Sequence, residues 1–303
     1  MMIHGKRHIC FLLCALLMTA AACGTLRAQS YVGASLAGHV PLTLDRLDIT
    51  RMQVGYGGEV GFVCEWQKGH FLLRTGVHYN ISCPRLAVDS QLIEQDMIDT
   101  RDIPFTYRGT LASRTERITA GQIAVPFYVG AVWKGFYVLA GAKVGVNLHA
   151  KATQKAQLKT AGDYIDRYYE WLEGMPNHGF HEFEDVRSDH DMPLNLIDVR
   201  VGGEIGYTFR LSSSRDAQTA PLLRVGAFAE YSVLDLRDSD TKQSLTPRTQ
   251  TDWSQYLRVN MTHVYASSDA AGTPVNLLTC GLRLTLLFPI SESHLPGHCM
   301  CLP

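Results

Sequence analysis

Residues 196–211 alternate for sixteen positions between an apolar and a polar face. Ile197, Val199, Val201, Ile205, Tyr207, Phe209 and Leu211 share one face, with Gly203 the one gap. Asp198, Arg200, Gly202, Glu204, Gly206, Thr208 and Arg210 share the other. Period two belongs to an extended strand, because successive side chains leave opposite sides of a pleat. A strand of a soluble sandwich also alternates, yet rarely exceeds about ten residues.

Seven further segments repeat the pattern: 31–43, 54–66, 71–81, 118–133, 136–148, 222–233 and 275–288. Each is long enough to cross a bilayer as a tilted strand, which takes about 9–11 residues. The connections between the eight run 10, 4, 36, 2, 47, 10 and 41 residues, so long and short take turns. Outer-membrane barrels show that rhythm, with short periplasmic turns and long outer loops. The expected fold is therefore all-β: an eight-stranded antiparallel transmembrane up-and-down β-barrel over 29–290 with long extracellular loops, located in the cell outer membrane of a Gram-negative envelope.

Residues 1–28 read as a signal peptide. Lys6, Arg7 and His8 precede a 14-residue apolar run, 9–22, too short to span a hydrocarbon core of roughly 30 Å as a helix. Ala28 before Gln29 offers a cleavage point, and Cys23 after three alanines is the alternative, a lipidated first residue. Residues 291–303 form a short C-terminal periplasmic tail. Cys64, Cys83, Cys280, Cys299 and Cys301 remain after cleavage, an odd number without the spacing of a disulfide framework or zinc site.

A barrel of eight strands barely holds its own side chains, so small residues must alternate with large ones inside. Gly57, Gly61, Gly76, Gly141, Gly145, Gly202, Gly206, Gly226 and Gly281 all fall on polar faces. Strand counting also places inside Glu59, Glu65, Asp198, Glu204 and Glu230, against Arg74, Lys143, Arg200, Arg210, Arg224 and Arg283. Such opposed charges in so narrow a tube must pair, which predicts a filled, non-conducting lumen. Read the other way, the same lining would serve a narrow porin.

Residues 118–148 contain Ala124-Val125-Pro126-Phe127, the turn Lys134-Gly135, and Phe136-Tyr137-Val138-Leu139-Ala140-Gly141. This text resembles the outer-membrane β-barrel proteins common in Bacteroidetes, the PorT-like barrels. Gly202 to Phe209, Ala227 to Tyr231 and Cys280 to Phe288 extend the likeness. The resemblance implies an eight-stranded outer-membrane barrel and names no catalytic residue.

No nucleophile elbow, Walker loop or H-E-x-x-H motif occurs, so the chain is read as no enzyme, with no cofactor. A net charge of -1 without a basic tract excludes a nucleic-acid partner. His178, His181, Glu184 and His190 crowd one loop and are the candidate ligands for a divalent metal. Upstream, Ile165, Tyr168, Tyr169 and Leu172 recur at helical spacing and predict a short helix over 161–172. Expected partners are outer-membrane lipid and lipopolysaccharide, with a protein partner at the extracellular loops or in the periplasm. The expected role is binding, secretion-accessory or structural. The alternative is an outer-membrane lipid-modifying enzyme, for which His78, His149 and Ser232 would lie near the rim.

Overall fold

The computed structural model describes residues 29–44, 50–99, 101–164, 170–175, 180, 182–192, 194–211, 220–236, 248–249, 259–260 and 274–290. The signal peptide, Cys23, the C-terminal tail with Cys299 and Cys301, His178 and His181 lie outside them. So do the side chains of Glu184 and His190.

Among the described residues thirteen strands follow one another: β1 Gln29–Leu44, β2 Thr50–Lys68, β3 Phe71–Val88, β4 Gln91–Ile98, β5 Pro104–Trp133, β6 Phe136–Asp163, β7 Trp171–Glu173, β8 Glu182–Asp191, β9 Ile197–Arg210, β10 Leu222–Ser232, β11 Arg248–Thr249, β12 Val259–Asn260 and β13 Asn276–Ile290. Eight form an antiparallel ring in the order β1, β2, β3, β5, β6, β9, β10, β13. Pairing of β1 with β13, from Ser30 opposite Ile290 to Leu44 opposite Asn276, closes the ring and leaves no wall strand with an open edge. All eight expected segments become these wall strands.

The closed ring is inside-out relative to a soluble protein. Leu36, Val60, Phe62, Val129, Val138, Ile205 and Leu282 are exposed, while Glu59, Glu65, Arg74, Lys143, Glu204, Arg224, Glu230 and Arg283 are buried. Only a solvent of hydrocarbon makes that arrangement stable, so the outer face is a lipid-facing surface. At the short-turn end Trp133, Phe136, Tyr207 and Phe209 gather; Tyr207 meets Phe136 and Phe209 edge-on at ring distances of 5.0 and 4.9 Å. The β5–β6 turn consists of Lys134 (φ 50°) and Gly135 (φ 90°), the two positive angles that a tight hairpin matching strand twist requires.

Two connections expected as loops are ordered sheet instead. β5 and β6 stay paired beyond the ring, up to Thr106 opposite Asp163. Where β3 leaves β5 at Val88, β4 takes its place beside β5, from Gln91 opposite Leu111. Where β9 leaves β6, β8 and then β7 take over. The result is a sheet extension that rises roughly 40 Å along the strands from the barrel mouth.

The helix expected over 161–172 is not formed by its described ends. Ala161, Gly162 and Asp163 finish β6, and Trp171, Leu172 and Glu173 return antiparallel to them as β7. Leu172 and Tyr164 pack on Phe105, Tyr107 and Phe180, so tertiary contact decides the conformation. Ile165, Tyr168 and Tyr169 lie outside the described residues.

Candidate functional site

The lumen is filled by one ion-pair network. Arg283 on β13 reaches three carboxylates on three other strands: Glu204 at 2.6 Å, Glu59 at 2.8 Å and Glu230 at 3.2 Å. Lys143 joins Glu59 at 2.7 Å and Glu230 at 2.6 Å. Arg74 links Glu65 at 2.5 Å to Glu204 at 2.8 Å, and Arg224 meets the second oxygen of Glu65 at 2.8 Å. Tyr137 donates its hydroxyl to Glu204 at 2.6 Å, and Tyr128 donates to Glu230 at 3.0 Å. Arg74 and Arg224 both lie over the Tyr137 ring, at 5.6 and 5.1 Å from its centre.

Ten of the eleven charges assigned to the interior by strand counting are buried there. The exception is Arg210, which is exposed. It pairs with Leu222 on the last rung of β9 and β10, where the wall ends, so its side chain leaves the lumen. Without it that set holds five acidic and five basic groups, a balance that lets each ion find a partner.

Glycines make room for this filling. Gly61 lies directly opposite His78, and a β-carbon there would sit 2.2 Å from the imidazole. A β-carbon at Gly226 would sit 2.3 Å from the Tyr137 hydroxyl. In both places the absent side chain of one strand leaves the space that a side chain from another strand fills.

Toward the long-loop end the polar filling gives way to an apolar plug of Leu86, Val88, Ile118, Ala152, Met192 and Val275. Between the two lies a cavity of about 40 Å³, bordered by Asn80, Ser82, Gln122 and Arg200 below and by Ile118, Met192 and Val275 above. That volume has room for a few waters and nothing larger.

The lipid-modifying alternative requires a serine activated by a histidine. His78 is engaged through Nδ1 with Glu59 at 2.7 Å. Ser232 donates to Asp198 at 2.6 Å, and His149 is exposed on the outer side of β6. Sequence reasoning missed a Ser–His contact: His39 Nε2 lies 3.1 Å from Ser82 Oγ. These two are 43 positions apart and meet only once β1 and β3 flank β2, so no local motif signals them. Ser82 donates to Asn80 at 3.2 Å, which leaves its proton committed elsewhere. The contact borders a cavity too small for a lipid.

For the metal set, Glu184 and His190 both stand on β8. Six residues of extended chain separate their backbones by roughly 20 Å. Among the described residues, no three His, Cys, Asp or Glu side chains gather as a metal site.

The outer extension carries its own cluster. Phe105 stacks on Tyr164 with ring centres 4.8 Å apart and meets Phe180 edge-on at 5.9 Å. Burial pushes the Tyr107 phenol up to about 12. Lys159 and Glu173 pair across β6 and β7; the ammonium holds the Glu173 carboxyl below its usual range and is itself raised.

No family model matches the chain, and no curated protein does. Among solved structures it is similar to Ail, the attachment invasion locus protein of Yersinia pestis. The complex of Ail with the heparin analogue sucrose octasulfate matches at 9% identity and a TM-score of 0.29, over 86% of this chain and 99% of that one. Ail alone matches at 8% identity and a TM-score of 0.31, over the same shares. At such scores the likeness adds nothing to the closed ring of eight strands, which establishes the β-barrel fold by itself.

Proposed function

We propose that this chain is a PorT-like outer-membrane barrel with a non-conducting lumen, serving as the rigid base of an extracellular binding sheet. The observation that carries this reading is Arg283 held by Glu59, Glu204 and Glu230 in the middle of the tube. A ring of direct ion pairs leaves no continuous column of water, and pores of this class need roughly 16 strands. Long connections lie outside in such barrels, which puts β4, β7, β8 and the ends of β5 and β6 on the cell surface. A sheet that projects so far, with its aromatic cluster ordered, suits a binding or accessory role at the envelope better than catalysis.

Two measurements test the reading. Purified barrel in planar bilayers should show no steady conductance; ion-selective openings would replace the binding role with a porin. Cross-linking on intact cells through the β4–β5 hairpin should capture a discrete envelope partner, and the capture should stop when residues 91–111 are replaced by a short turn.

A further inference from the structure

Basic side chains collect on one side of the barrel, immediately above the lipid-facing band. Arg85 on β3 and Arg117 on β5 stand directly opposite each other in register. Like charges so placed repel and weaken a sheet. Among the described residues neither meets a carboxylate. Both lean instead on Tyr56 of β2: the Arg85 guanidinium lies 5.4 Å from the ring centre, and Arg117 Nη1 lies 3.5 Å from the hydroxyl. Arg51, paired with Asp89 at 3.1 Å, extends the patch along β2, and exposed Lys155 extends it across β6. Two guanidiniums braced by one tyrosine, facing outward and short of a counter-charge, form a fork for an oxyanion.

Depth identifies what that oxyanion is attached to. On β3 the outward apolar residues run from Phe71 to Ile81. Ten residues of strand tilted by about 40° span roughly 25 Å along the barrel axis, the height of a lipid-facing band. Arg85 stands four residues farther on, roughly 10 Å higher, which is the headgroup layer of the leaflet on the long-loop side. The patch is also one-sided. The outer faces of β1, β9 and β10 end near the same rim in Leu44, Ile197 and Val233, all exposed and apolar. A general interfacial belt would ring the barrel, whereas among the described residues this one occupies the β2–β3–β5–β6 half.

We infer that Arg85, Arg117 and Tyr56, flanked by Arg51 and Lys155, form a binding site for the phosphate of an outer-leaflet phosphoglycolipid. The site rests on the proposed membrane orientation. Its acyl chains would lie along the exposed Ile81, Ile123 and Tyr56 surface below the guanidiniums, so that one ligand satisfies both the charge and the apolar wall.

The test uses the full barrel in detergent micelles, with phosphorylated lipopolysaccharide, its dephosphorylated form and inorganic phosphate as three probes. Wild-type protein should bind the phosphorylated lipopolysaccharide at least about tenfold more tightly than the dephosphorylated form, as two charge-assisted bonds to phosphate require. The double variant Arg85→Gln, Arg117→Gln should lose that preference, while Lys159→Gln, higher on the extension, keeps it. Both substituted side chains face outward, and unchanged heat-modified gel mobility would verify that the ring is intact. Equal binding by wild type and double variant overturns the site. So does full competition by millimolar inorganic phosphate, which would mark an adventitious anion site. Failure of the membrane reading is distinguishable, because the wild-type protein would then not insert into vesicles at all.

Discussion

Arg283 and Glu204 lie 2.6 Å apart across the lumen, although 79 positions separate them in the chain. Arg283 also carries its guanidinium 4.3 Å from the centre of the Phe228 ring, so the ion is braced on an apolar face while its nitrogens reach three acids. Removing it leaves Glu204, Glu59 and Glu230 short of a counter-charge in a place without bulk water. Arg283→Ala should destabilise the barrel by about 3–5 kcal/mol, read as a lower unfolding midpoint in denaturant. Adding Glu204→Gln should recover part of the loss, because it removes one stranded charge. A double-mutant cycle with zero coupling would show that the two residues do not depend on each other.

The glycines that face the lumen should tolerate no side chain. Gly226→Val would drive its β-carbon toward the Tyr137 hydroxyl and Glu204, which have no space to retreat in a filled tube. The expected loss is about 1–3 kcal/mol from overpacking. Gly38 faces outward, and a β-carbon added there would meet nothing within 4 Å. Gly38→Ala should therefore change stability by no more than about 0.5 kcal/mol. Equal effects at the two sites would refute the packing argument.

Stability of the extension should fall in alkali. Tyr107 has its folded-state pKa raised by burial to about 12 from an ordinary 10. A raised pKa means that its contribution is complete below the unfolded value and is lost as pH climbs through the folded one. The window is therefore about pH 10 to 12, with a total of roughly 2–3 kcal/mol. Ultraviolet titration of tyrosinate should show a late-ionising phenol that disappears in Tyr107→Phe.

The eight wall strands were legible because lipid outside and polar filling inside impose strict alternation on each. The extension was not. On β5, Phe105, Tyr107, Gly109 and Leu111 are buried in alternation, but an irregularity between Ala112 and Thr115, with Ser113 at φ 50°, shifts the phase. Beyond it the buried positions are Arg114 and Glu116, and across on β6 Gln154, which donates to Glu116 at 2.8 Å and accepts from Arg114 at 3.3 Å. Buried polar residues read as loop in a sequence, so both the period and the polarity misled. The lumen charges were legible one by one, whereas their partners were not, because pairing across a barrel depends on closure.

The arrangement of turns and extensions yields a topology that can be checked on intact cells. Gly69 and His70 join β2 to β3 at the end that carries Trp133, Phe136, Tyr207 and Phe209, and Asp96 lies on β4, far beyond the opposite rim. If the long connections face outward, a cysteine introduced at Asp96 or Glu170 should react with a membrane-impermeant maleimide in whole cells. A cysteine at His70 should react only after the outer membrane is permeabilised. Among the described residues, Cys83 is buried and Cys280 is exposed on the lipid-facing side of β13, where lipid shields it from a water-soluble reagent. Background labelling from Cys280 should therefore stay low in both conditions. Reaction at His70 in intact cells would invert the barrel, moving the extension and its basic patch to the periplasmic side.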